Sequence, residues 1–203
     1  DHLIQDQLEF TAAVAKAVEL ARQSYLTTFG IVPAAPETGF GYIEAGEALH
    51  QGRTVLRFVE KPNRETAETF LANGNFYWNA GMFCFTAGSL LEQLAQHAHE
   101  LALQAESCWR AVKFKVTAND CIYDIPLDAF AQMPNVSIDC AVMEHSEKVA
   151  VVPSVFDWSD IGSWGSVKLL TSPDVDNNRA LGDALFVDSR NNYVRSEDRL
   201  VVT

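Results

Sequence analysis

Glu60 and Lys61 stand side by side just before Pro62, at the close of the run Thr54-Val55-Leu56-Arg57-Phe58-Val59. An ammonium in that position can grip a phosphate, and the neighbouring carboxylate can accept hydrogen bonds from sugar hydroxyls. Asn79 and Gly81 interrupt an otherwise aromatic and apolar run, Phe76-Tyr77-Trp78-Asn79-Ala80-Gly81-Met82-Phe83-Cys84-Phe85. A carboxamide carries both a donor and an acceptor, the pairing that recognises a hydroxyl, and a glycine lets backbone approach a ligand. Gly39 and Gly41, either side of Phe40, point to a bend of the same close-approach kind. Asp160, in Phe156-Asp157-Trp158-Ser159-Asp160-Ile161-Gly162-Ser163-Trp164, is a carboxylate at a tight turn, suited to a hard cation such as Mg²⁺. Taken singly, each has a plain structural explanation: a surface ion pair, a bulge with a satisfied Asn, a turn, a helix capped by Asp157 or Asp160. Taken together, they suit a sugar phosphate with a divalent metal.

The elements that must hold these groups follow from periodicity and punctuation. The apolar run 54–59 predicts a buried strand stopped by Pro62, with Asn63 capping a short helix over 65–71. Charges at the carboxyl end of such a strand lie where open α/β sheets bind ligands. Nearer the start, Leu8, Ala12, Ala15, Val18 and Ala21 recur at three- and four-residue steps and predict a helix with that stripe apolar. Leu26 to Val32 predicts a strand, and Glu47 to Arg53 a polar, hairpin-like loop. The aromatic run predicts a buried strand with a bulge at Asn79-Ala80-Gly81. Leu90, Leu91, Leu94, Ala98, Leu101 and Ala105 predict one helical stripe, capped by Ser89. Ser137 is expected to cap a short helix whose Asp139 could approach a site, although acids in that turn commonly complement the helix dipole. Val149 to Val152 predicts a short strand ended by Pro153, and a helix follows through Trp164, Val167, Leu169 and Leu170. After Pro173 a polar linker and short strands without a helix predict a separate β element.

The 203 residues include 15 basic and 27 acidic side chains, a net charge of -12. That balance opposes a nucleic-acid surface, and any anionic ligand must be held by local donors or a metal. No apolar run is long enough to cross a bilayer, and Gln5, Asp6, Gln7 and Glu9 break up the opening residues too early for a signal peptide. Cys84, Cys108, Cys121 and Cys140 lack C-x-x-C spacing and read as reduced core residues, which predicts a cytoplasmic setting. His97 and His99 would not share a helix face, which disfavours zinc.

Asp1-His2, Thr28-Phe29-Gly30-Ile31, Glu37-Thr38-Gly39-Phe40-Gly41-Tyr42-Ile43, Phe58-Val59-Glu60-Lys61-Pro62, Trp78-Asn79-Ala80-Gly81-Met82-Phe83 and Trp158-Ser159-Asp160-Ile161-Gly162-Ser163-Trp164 come in that order. The combination resembles the bacterial mannose-1-phosphate guanylyltransferases (GDP-mannose pyrophosphorylases), within the sugar-phosphate nucleotidyltransferases. The resemblance implies an α/β fold: part of a Rossmann-like nucleotidyltransferase sheet flanked by helices over residues 1–172, then a linker and the start of a C-terminal β-helix over 173–203. It also implies attack of mannose 1-phosphate on the α-phosphorus of GTP, giving GDP-mannose and pyrophosphate, with Mg²⁺ as cofactor. Carried over residue by residue, Asp1 and Asp160 would hold the metal and Lys61 would contact the sugar phosphate; these three would carry catalysis. Glu60 and Asn79 would read the mannose hydroxyls, with the Gly41 and Gly81 backbone close to the sugar. The partners implied are mannose 1-phosphate, GTP or GDP-mannose and a second copy in a homodimer, with neither nucleic acid nor membrane.

The family's glycine-rich phosphate loop, with its Arg and Lys, has no counterpart here, and Gly39-Phe40-Gly41 does not replace it. The chain is therefore expected to be a fragment that lacks the nucleotide contacts and does not turn over alone. Two other functions compete: transfer to another sugar 1-phosphate, and a non-catalytic regulator that binds a sugar nucleotide.

Overall fold

Strands form over the apolar runs, although the run 54–59, expected to be a buried strand, is fully buried only at Phe58, with Leu56 exposed. In the computed structural model, which describes residues 2–117 and 120–203, the strands are β1 (His2–Ile4), β2 (Leu26–Ile31), β3 (Tyr42–Leu49), β4 (Gly52–Val59) and β5 (Phe76–Cys84). They continue with β6 (Lys113–Val116), β7 (Cys121–Asp124), β8 (Val149–Ser154), β9 (Trp158–Asp160), β10 (Arg179–Leu181), β11 (Ala184–Leu185), β12 (Tyr193–Arg195) and β13 (Val201–Val202). The helices are α1 (Gln7–Arg22), α2 (Arg64–Asn73), α3 (Ala87–His97), α4 (His99–Ala111), α5 (Leu127–Phe130) and α6 (Trp164–Leu169), with a π-helical turn at Asp139–Met143. These elements fall into two units, residues 6–156, and residues 157–203 with the first five.

In the larger unit, β2, β5, β3, β4 and β8 are hydrogen-bonded in that order, and β8 returns to β2 to close a ring. The β2–β8 pair is parallel and the other four are antiparallel, so the sheet is mixed. Leu26, Ile43, Phe58, Val149 and Val151 fill the core together with Ala141, Val142 and Met143 of the π-helical turn. Helix α1 packs on β2 and β8, α2 on β5, and α3 on the π-helical turn. Gly30 of β2 shows how close this packing is. A methyl group there would lie 2.6 Å from Val151 Cγ2 and 2.8 Å from Tyr77 Cβ. Gly30→Ala is therefore expected to destabilise the unit by about 1–3 kcal/mol, as overpacking does. A urea midpoint equal to wild type would contradict this.

Several expectations hold and several need correction. Asn63 caps α2, its Oδ1 accepting from Thr66 N at 2.9 Å, and Gly74 ends that helix in the left-handed region. The bulge is present: β2 advances from Thr28 to Gly30 while β5 runs from Phe83 to Asn79, so Ala80, Gly81 and Met82 stand against Phe29 alone. The buried face of α1 is Ala13, Ala17, Leu20 and Ala21, whereas Leu8 is 85% exposed. Alanines fit either face, so their spacing could not choose between the two. The 47–53 loop is mostly strand, because β3 and β4 are joined through His50 and Gln51 alone. The single helix after Ser89 is two, broken at Ala98, and Thr86 rather than Ser89 supplies the cap. Pro153 does not end β8; it sits opposite Gly30, and Ser154 still pairs with Ile31. Cys121 is exposed on β7 and not in the core.

In the smaller unit, β1 and β9 pair antiparallel, with His2 opposite Asp160 and Ile4 opposite Trp158. Ser163 caps α6 by accepting from Ser166 N at 3.2 Å. The last strands pair in parallel, β10 with β12 and β11 with β13. Between them the buried Asn178 accepts from Asn192 N at 3.1 Å and Asn192 Nδ2 at 3.0 Å, and donates to the Ser189 carbonyl at 3.0 Å.

Candidate functional site

Strand β4 delivers Glu60, and the buried Pro62 forces the chain to turn. Between them Lys61 adopts φ 43°, a left-handed conformation that costs a non-glycine residue about 1–3 kcal/mol. In extended backbone, neighbouring side chains point to opposite faces. The left-handed residue breaks that alternation, and Lys61 Nζ lies 2.9 Å from Glu60 Oε1. Glu60's hydrogen bond and charge raise the Lys61 pKa, which keeps the ammonium protonated. The Lys61 side chain is 62% exposed against 22% for Glu60, so the cation is available to a ligand. Glu60 is anchored from behind, where its backbone N donates to Glu144 Oε1 at 3.1 Å.

The β5 bulge brings Asn79 to the same place. Asn79 N donates to the Gly41 carbonyl at 2.8 Å. A Cβ on Gly41 would come within 2.7 Å of Glu60 Oε2 and 3.4 Å of Asn79 Cβ, so only a glycine leaves the two side chains this close. Gly39, by contrast, has open space around it and makes no close approach. Gly81, at φ 70°, donates its N–H to Asn79 Oδ1 at 3.2 Å. The Thr28 hydroxyl lies 2.8 Å from the same oxygen and 3.0 Å from the Met82 carbonyl. Asn79 Nδ2 donates to Asp139 Oδ1 at 3.2 Å.

Asp139 carries the electrostatic tension. Burial, and then the Glu60 carboxylate, push its pKa above the usual carboxylate range, against the opposing pull of its own backbone N–H, of Lys61 and of the Asn79 hydrogen bond. The folded chain thus holds this proton more tightly than the unfolded chain. Asp139 lowers stability progressively as pH rises from the ordinary carboxyl pKa through the raised one, and has no such effect below that window. Asp139→Asn is expected to unfold at the same or a higher temperature than wild type at pH 7, and to lose any advantage in acid. A lower midpoint at neutral pH would contradict this.

Five of the residues singled out in the sequence therefore meet: Gly41, Glu60, Lys61, Asn79 and Gly81. Asp160 belongs to the smaller unit, at the end of β9, where Trp158 Nε1 donates to His2 Nδ1 at 3.1 Å. With Ser163 serving as the cap of α6, neither Asp157 nor Asp160 is needed there. Asp1 lies outside the described residues. Among the described residues no group of three or more His, Cys, Asp or Glu side chains could hold a metal. Sequence reasoning assigned no role to Thr28 or Glu144, and for Asp139 it left open an approach to a site or a helix-dipole role. The available signal for Thr28 was a hydroxyl pair, Thr27-Thr28, inside a strand buried on both faces.

Residues 1–172 match the description of the nucleotidyl transferase family. The chain is 43% identical over 205 residues to a mannose-1-phosphate guanylyltransferase of Klebsiella pneumoniae, a match covering 99% of this chain and 43% of that protein. A solved structure from Thermus thermophilus, named a mannose-1-phosphate geranyltransferase, superposes with a TM-score of 0.83 at 28% identity, covering 100% of this chain and 57% of that one. A mannose-6-phosphate isomerase from Helicobacter pylori superposes with a TM-score of 0.74 at 36% identity, over 79% of this chain and 61% of that one. The chain spans less than half the length of its Klebsiella relative. With a mixed sheet flanked by helices and a family match over residues 1–172, the chain belongs to the nucleotidyl transferase family.

Proposed function

We propose that the whole protein transfers a guanylyl group from GTP to mannose 1-phosphate, giving GDP-mannose and pyrophosphate. The observation that carries this is the meeting of one exposed ammonium with hydroxyl-reading groups around Gly41. Lys61 would leave Glu60 for the sugar phosphate, and Glu60 would then be free to accept from a sugar hydroxyl. Asn79, fixed by Thr28 and Gly81, would donate to another. A phosphate oxygen of the sugar phosphate forms the new bond to the α-phosphorus, and the bond from that phosphorus to the bridging oxygen breaks as pyrophosphate leaves. Chemistry of this kind depends on positioning and charge neutralisation, which this chain's residues supply on the sugar side. At about 4 Å, a Lys–phosphate pair is worth on the order of 4 kcal/mol at an effective dielectric near 20. Asp160, with Asp1, would hold Mg²⁺, which when bound neutralises phosphate charge.

Residues 173–203 would begin a parallel β-helix, a proposal supported by the parallel pairs β10–β12 and β11–β13 and by the Asn178–Asn192 stack. A cytoplasmic setting and a homodimer complete the proposal. The whole protein, given GTP, mannose 1-phosphate and Mg²⁺, should release pyrophosphate and GDP-mannose in equal amounts. Preference for glucose 1-phosphate would move the assignment to another sugar. Binding of mannose 1-phosphate that is indifferent to EDTA, without pyrophosphate release, would mark a regulator.

A further inference from the structure

We infer that Asp139 is a specificity-determining residue of the sugar site, the acceptor for the hydroxyl to which Asn79 donates. This rests on the sugar-phosphate function proposed above. A carboxamide has one oxygen with two lone pairs and two N–H groups. Asn79 Oδ1 accepts from the Gly81 N–H at 3.2 Å and faces the Thr28 hydroxyl at 2.8 Å, whose single proton lies nearer this oxygen than the competing Met82 carbonyl at 3.0 Å. One Nδ2 hydrogen goes to Asp139 Oδ1 at 3.2 Å. What remains for a ligand is a single N–H, so Asn79 can donate to a hydroxyl oxygen but cannot accept the hydroxyl's proton.

That proton needs an acceptor next to Asn79. Glu60, once Lys61 turns to the phosphate, accepts from a different hydroxyl, and its Oε2 is turned toward Gly41 and not toward Asn79 Nδ2. Asp139 touches Asn79 directly, and among the described residues Asn79 is the one side chain donating to its carboxylate. The placement is also rigid. Asp139 opens the π-helical turn, whose Ala141, Val142 and Met143 are buried in the core. Single π-helical turns recur at functional sites. A half-buried carboxylate placed beside a second one, with its proton affinity raised, is poorly explained by stability alone. An ionised acceptor also forms the stronger kind of hydrogen bond to a hydroxyl.

The test uses the whole protein and compares wild type with Asp139→Asn and Asp139→Ala on mannose 1-phosphate and its monodeoxy analogues. Asn at 139 keeps the size of Asp and an oxygen that can still accept from Asn79, while removing the charge. Asp139→Asn should weaken mannose 1-phosphate binding by about tenfold or more and raise KM far more than it lowers kcat. One deoxy analogue, lacking the hydroxyl that Asp139 reads, should bind wild type and Asp139→Asn alike. Should Asp139→Asn bind mannose 1-phosphate as wild type does, Asp139 is not the acceptor. An equal loss on every analogue would also overturn the inference, because it would mean that Asp139 only shapes the pocket. If wild type binds no sugar phosphate of any kind, the function proposed above falls as well, which separates that failure from the other two.

Discussion

Replacing Lys61 by Ala in the whole protein should lower kcat/KM for mannose 1-phosphate by roughly 10²–10³, or about 3–4 kcal/mol of transition-state stabilisation, the usual loss for one preorganised donor. The fold should hardly register the change. Lys61 is mostly exposed, so solvent screens its ion pair with Glu60. Exposed pairs contribute only about 0–1 kcal/mol. The strained backbone at position 61 is the same for Ala as for Lys, so it cancels in the comparison. Function and stability should therefore separate cleanly. Lys61→Arg should recover part of the rate, since it restores the charge with a different shape. A fall of less than tenfold would remove Lys61 from the site.

The second large effect is expected at Asp160. Asp160→Asn in the whole protein should reduce kcat by about 10³ or more, since metal charge stabilisation is worth several kcal/mol and each 1.4 kcal/mol is about a factor of ten. The substitution preserves size, and Ser163 remains to cap α6, so the local fold should persist. The diagnostic readout is the Mg²⁺ titration. Wild type should saturate with Mg²⁺, and Asp160→Asn should need far more or fail to respond. An unchanged Mg²⁺ dependence would exclude Asp160 as a ligand, however low the remaining rate.

Local chemistry was legible in the sequence and long-range partnership was not. Pro62 and Asn63 announced the end of β4 and the cap of α2, because backbone donors and φ restrictions act within a few residues. Asn79-Ala80-Gly81 announced a bulge for the same reason. The break at Ala98 carried no Gly or Pro to signal it. Thr28 looked like strand filler, since nothing near it in the chain reveals that its hydroxyl meets Asn79. Asp139 was visible as an acid at a helix start, but its partner lies 60 residues away. What the residues do as a group came from the family resemblance, and that they meet around Gly41 came from the coordinates.

The ring of strands has a consequence for how the protein acquires its site. Its closing pair joins Leu26 to Val149, so most of the chain must be in place before that ladder can form. Contacts so distant along the chain are slow to form, because loop-closure entropy opposes them until late. Thr28 meets Asn79 within the β2–β5 pair, but Asp139 and Glu144 come from the segment just before β8, so Asn79 and Glu60 gain those partners only as assembly finishes. A nascent or damaged molecule would then have no half-working version of this pocket. A sugar phosphate that occupies it would hold the entire ring shut, shielding remote segments from proteases as its concentration rises.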